Sequence, residues 1–299
     1  MSAIRTVTKY VDDARIIYKA LNGIVVLYKP PVLHFNNLRE TVISNLCREL
    51  NDMHTRPPMK HVAIEGETNK PMKVVVRNSF ADHPLVVGPR YQLNDFRMGT
   101  TKIMQKDVSG VLVCGINAGE ATDNYFHTGK VVEKSTYAHV RRGHLDKLCS
   151  SMQSTHQRKM FELCGVDIQS QAAYELAVKG LLRPADSNIP MIYTVKCVDF
   201  SPPEFMLEVV CTNETDLYLK AIIHDLGLKL RSNATCTQVL CIQDGLFNIK
   251  HALLSKHWTL QNIVTNIQIC QNVINQNEHI LHQKNPALIE PSNYIDTIE

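Results

Sequence analysis

Two β-rich runs, "MIYTVKCVDF" and "EFMLEVVC", flank an "SPP" break within residues 190–211. Side chains that suit a pleated surface, interrupted by a proline pair, read as a hairpin of antiparallel strands. That hairpin commits the chain to a sheet. Around it the period changes. "NLRETVISNLCRELND" (37–52) repeats Leu38, Val42, Leu46 and Leu50 at helical spacing. Helices are also expected at 11–22, in "LDKLCSSMQS", in "QAAYELAVKG" with Gly180 as its C-cap, at 215–230 and at 258–274. Strands are expected at Ile24–Leu27, in "KVVVR" (73–77) and at Val108–Ile116. Residues 53–70 are polar and broken by prolines, which predicts an exposed loop, and "TGKVVEKSTYAHV" is expected to turn at Gly129 into a strand. Helices and strands interspersed with a hairpin predict a mixed α+β domain.

Composition narrows the function classes. The chain has 299 residues, enough for a sizeable core, with 44% apolar and 20% charged residues. It has no apolar run long enough for a membrane span. Its nine cysteines contain no CxxC pair, so neither a disulfide framework nor a zinc knuckle is expected, and an intracellular, reducing compartment fits better. "MSAIRTVTKY" lacks the apolar core of a secretory signal. Its hydroxyls, Arg5 and Lys9 suit a weak organelle-targeting start, and equally the start of many cytosolic proteins. Net charge is only +3, so a nucleic acid would have to be met by local patches.

Few clusters suggest chemistry. His251/His257 and His279/His282 have no third ligand nearby and read as solvated histidines, so no metal is expected. Neither GxGxxG nor GxxxxGK[ST] occurs, so no nucleotide cofactor is expected. Arg141, Arg142 and His144, and again Arg158 and Lys159, form short basic clusters that read as RNA contacts or as plain wet surface. Tyr137 and His139 add flat faces beside the first, a mixture that suits RNA. In "KIMQKDVSGVLV" (102–113) one carboxylate, Asp107, stands at the mouth of a buried strand, as a turn residue or as a catalytic group.

Several segments, in order, resemble a known family, the TruB-type RNA pseudouridine synthases, and most closely their mitochondrial branch. They are "GIVVLYKPP" with Lys29 and Pro30, "SGVLV" (109–113), "GEATDNYFHTGKVV" (119–132), "AYELAVKG" (173–180), "LYLKAIIHDLGLKL" (217–230) and "QVLCIQDGLF" (238–247). The resemblance implies a pseudouridine synthase fold: a mixed, largely antiparallel sheet with flanking helices around a central RNA-binding cleft, without the extra PUA domain. The expected organisation is an N-terminal extension (1–20), the catalytic domain (21–255) and a C-terminal helix and tail (256–299).

The resemblance further implies isomerisation of uridine to pseudouridine in tRNA or mitochondrial mRNA or rRNA, without cofactor or metal, by one essential aspartate acting on a flipped nucleotide. Carried over residue by residue, it makes Lys220 the basic anchor of the acid and Tyr218 a site tyrosine. Lys29, Arg141 and Arg142 are the candidate RNA contacts. The sequence departs from the pattern in three places. The family aspartate stands four residues before the serine of "SGVL", which here is Gln105, with Asp107 two residues later. The helix and Lys-x-Tyr strand that relatives carry between Leu112 and Gly119 are missing, which should leave a sheet edge uncovered. Lys220 replaces an arginine, keeping the charge without the forked grip. Two functions stay open: a synthase working through Asp107, and a non-catalytic RNA-binding or mitoribosome-assembly protein on the same fold.

Overall fold

In a computed structural model the chain is described at residues 13–53, 60–67, 69–80, 83–100, 102, 104–117, 125–132, 137–179 and 189–277. The apolar run of 108–116 becomes strand β5 (Val108–Ile116), with every residue buried. A strand without polar alternation has to be covered on both faces, so β5 lies inside the sheet. Strand β1 (Gly23–Lys29) pairs antiparallel along one edge of it, from Gly23 opposite Ile116 to Lys29 opposite Gly110.

The other edge is shared. Strand β4 (Met98–Thr100) pairs antiparallel with residues 114–116, and strand β9 (Thr235–Asp244) pairs in parallel with residues 108–110. The uncovered edge expected from the missing Lys-x-Tyr strand is thus filled from two ends. Thr100 Oγ1 adds a hydrogen bond to the Val113 carbonyl at 3.0 Å. The parallel contact needs glycine: Gly110 has φ +120°, and a Cβ there would lie 2.1 Å from the Cys241 oxygen.

Beyond β9 the sheet continues through strands β6 (Tyr125–Val132), β8 (Glu204–Thr212) and β7 (Met191–Ser201), all antiparallel. Strands β7 and β8 are the predicted hairpin. Gly129 is not a turn: it sits inside β6, opposite Leu207 on one side and Val239 on the other. The predicted loop at 53–70 contains a strand, β2 (Lys60–Glu65), paired with β3 (Lys73–Asn78) in a separate ribbon. The β-branched alternation of "HVAIE" outweighed the polar residues around it.

The helices cover the sheet. Helix α1 (Ala14–Ala20) buries Ala14 and Ile17, and α2 (Phe35–Asn51) buries the predicted stripe Leu38, Val42, Leu46 and Leu50. Helix α3 (Arg142–Leu163) lies over β7, with α4 (Gln171–Lys179) beyond it. Tyr174 on α4 is 67% exposed. Helix α5 (Asp216–Lys229) leads into β9, and α6 (Leu260–Gln276) packs on β1. Buried Asn266 fixes that contact: it accepts from the Val26 amide at 2.9 Å and donates to the His251 carbonyl at 2.8 Å. Gly180 and the pair His279/His282 lie outside the described residues. Among the described residues no helix is long and apolar enough to cross a membrane, and no group of His, Cys, Asp or Glu could hold a metal ion.

Candidate functional site

The loop between β4 and β5 is held from below by a lysine. Lys29, at the end of β1, is fully buried. Its amine donates to the carbonyls of Gln105 at 2.8 Å, Lys106 at 3.4 Å and Val108 at 2.5 Å. Burial pulls its pKa down, and the charges of Asp216 and Asp107 pull it back up. Lys29 is therefore placed differently from an RNA contact: it supports the loop from inside. The segment after Pro30-Pro31 adds a bond from the Val32 amide to the Lys106 carbonyl at 2.7 Å.

Helix α5 holds the same loop from the other side. Thr215 caps it by accepting from the Tyr218 amide at 3.2 Å. Asp216 and Lys220 are four residues apart and so share a face. Asp216 is buried and accepts from the Gln105 amide at 2.6 Å. One turn on, the Lys220 amine donates to Gln105 Oε1 at 2.8 Å and lies 2.5 Å from Asp107 Oδ2. One cation thus holds both candidates, the amide at 105 and the carboxylate at 107. The Asp107 side chain is 60% exposed. The Lys220 hydrogen bond holds its carboxyl below the ordinary carboxylate range, so Asp107 is an anion at neutral pH.

A second ion pair lies deeper. Lys102, before the loop, pairs with the buried Glu214, just ahead of α5. Three cations (Lys29, Lys102, Lys220) and three carboxylates (Asp107, Glu214, Asp216) interleave around one loop. Such a network fixes the loop in place more than it stabilises the fold.

The other expected residues are not brought to this loop. Tyr218 lies two residues from Lys220 and turns away from it toward α3, where its hydroxyl meets His156 Nε2 at 3.1 Å. Burial raises the Tyr218 phenol to about 12 and lowers His156, so both are neutral at pH 7. Arg142 is engaged by the Cys197 carbonyl at 3.0 Å and by Asp146 at 3.8 Å. Arg141 is the exposed residue preceding α3. His139 is bound to the Leu230 carbonyl at 2.8 Å.

Sequence reasoning missed Asp216, the Lys102–Glu214 pair and His156. The "TD" at 215–216 is a visible helix start. That its acid reaches across to the Gln105 amide depends on tertiary packing.

The chain is similar to known proteins over most of its length. A model of the TruB family pseudouridylate synthase N-terminal domain matches residues 97–217, a span that holds the loop and the start of α5. The mitochondrial pseudouridylate synthase TRUB2 of Xenopus tropicalis is 37% identical over 288 residues, 85% of this chain and 87% of its own. The human protein of the same name is 36% identical over 273 residues, 81% of this chain and 82% of its own. A chain in the crystal structure of the archaeal box H/ACA sRNP Nop10-Cbf5 complex matches at 12% identity and a TM-score of 0.47. That match covers 87% of this chain and 63% of the archaeal one.

Proposed function

Because the chain belongs to the TruB family of pseudouridylate synthases, we propose that it isomerises uridine to pseudouridine in RNA, with Asp107 as the acting carboxylate and Lys220 as its anchor. One observation carries the assignment of roles: Asp107 Oδ2 lies 2.5 Å from the Lys220 amine on an exposed loop held between β1 and α5.

The reaction is an isomerisation. The bond from C1′ of the ribose to N1 of uracil breaks, the base turns, and C1′ bonds to C5. The proton on C5 leaves and N1 gains one. The uridine must first be flipped out, at a cost of a few kcal/mol that the pocket offsets by stacking and hydrogen bonds. An ionised carboxylate can attack the sugar or take a proton from it. Lys220 keeps Asp107 ionised and aimed, while Lys29 and Asp216 keep the loop from shifting, since small displacements cost large factors in rate. Tyr218, turned toward α3 and bonded to His156, is assigned to holding the helix that carries Lys220 and not to the reacting base. The exposed Arg141 is assigned to the RNA path; Arg142, held by Asp146 and the Cys197 carbonyl, is not.

The place of action is assigned as the mitochondrion from the names of the relatives; transfer RNA or mitochondrial messenger or ribosomal RNA is the substrate that the family resemblance implies. A second reading rests on Gln105. Its neutral amide holds the same amine at 2.8 Å, at the position the family pattern gives to the acid. On that reading the protein grips RNA without modifying it. Mapping pseudouridine in transfer and mitochondrial RNA separates the two. Sites lost without the protein, and not restored by Asp107→Ala, support the synthase. Unchanged sites support the RNA grip.

A further inference from the structure

At the far end of β5 from Asp107, a cavity of about 660 Å³ opens between α2 and the β4–β5 pair, a size usual for ligand pockets. Gly115 lies eight residues beyond Asp107, roughly 26 Å along an extended strand. We propose that this cavity binds an unpaired nucleotide of the RNA, a second anchor apart from the reacting uridine. The proposal rests on RNA being the partner.

Two features select this ligand. The floor is bare backbone: Gly99 and Gly115 stand opposite each other in the β4–β5 register, and a Cβ on Gly99 would meet nothing within 4 Å. This open space over two facing glycines suits a flat base. The rim is cationic. Arg39 of α2 and Arg97 ahead of β4 are both exposed, and among the described residues neither guanidinium has an ion-pair or hydrogen-bond partner. Arg15, Arg77 and Arg142, by contrast, each pair with a carboxylate. Two uncommitted guanidinium groups beside a flat backbone floor match a phosphodiester next to a base. Glu40 on the same rim can accept a hydrogen bond from an exocyclic amine, and it repels an acidic peptide. RNA held at both ends of β5 would be fixed in register on the loop.

The test measures binding, so it does not depend on turnover. Fluorescence anisotropy would compare one RNA hairpin with and without a short single-stranded flank, on the wild type, on the double variant Arg39→Ala/Arg97→Ala and on Gly99→Leu. The arginines are exposed and position 99 has room, so all three proteins should fold. The expected result is a wild-type preference of about tenfold for the flanked RNA, the worth of one stacked base. Both variants lose that preference and still bind the bare hairpin. The double variant also shows a shallower salt dependence, by about one in log–log slope. A wild type without preference, or variants that keep it, overturns the second anchor while RNA binding stands. A wild type that binds neither RNA overturns RNA as the partner as well. A glutamate-rich peptide that competes only when both arginines are present would assign the cavity to a protein and overturn the proposal.

Discussion

Asp107 and Lys220 meet at 2.5 Å although one belongs to the loop before β5 and the other to the second turn of α5. The carboxylate is 60% exposed, so the pair adds little to folding. Its use is placement. Lys220→Met is expected to lower the rate of pseudouridine formation by roughly a hundredfold or more, with little change in melting temperature. Lys220→Arg, which keeps the charge and adds a fork, is expected to retain most of the rate. Steady-state kinetics beside thermal unfolding check both.

The same pair sets the acid limb of the pH profile. The folded pKa of Asp107 lies below its unfolded value, about 3.9. Its contribution to stability is therefore present above that value and is lost as pH falls through the lowered folded pKa. Activity should stay flat down to the ordinary carboxylate range. In Lys220→Met the hydrogen bond that lowers the pKa is gone, so the acid limb should move up. A rate profile carried down through about pH 4 and below reads this directly, and an unmoved limb contradicts the pairing.

Lys29 is the buried support, and removing it should cost stability. Lys29→Met takes the donor from three carbonyls, an expected loss of about 2–4 kcal/mol in denaturant unfolding. Burial also sets a sign. The folded pKa is below the unfolded one, about 10.4. The buried charge is thus a cost at neutral pH, and it fades as pH rises from the lowered value to the unfolded one. The stability gap between wild type and Lys29→Met should change across that alkaline window.

Gly110→Ala tests the shared edge of β5. The new Cβ would have to occupy the place of the Cys241 carbonyl, on a residue with φ +120°. Strain and displacement together are expected to exceed about 3 kcal/mol, seen as a large fall in melting temperature or in soluble yield. Gly99→Ala, in the same sheet with open space around it, should be nearly neutral.

Much of this architecture was legible in the sequence, and the rest was not, for identifiable reasons. The β7–β8 hairpin, β5 and the stripe on α2 follow from period and apolar content, which act locally. The strand at 60–65 was hidden by its polar surroundings. Gly129 carried a turn signal, yet pairing on both sides holds it extended. The site was half legible. Motif order brought Lys220 to the loop. Lys29, by contrast, stands one position from the proline pair, where a surface role looked natural, and its burial under the loop comes from the β1–β5 register. Asp216 and Glu214 are acids at a helix start whose partners arrive from distant sequence.

The central claim is that Asp107, and not the residue at 105, performs the chemistry. Tritium release from transfer RNA labelled at uracil C5 measures that step on purified protein. Wild type and Gln105→Asn should both release tritium, and Asp107→Asn should reduce release by about a thousandfold or more. Release unaffected by Asp107→Asn, or seen only after Gln105→Asp, would contradict the account.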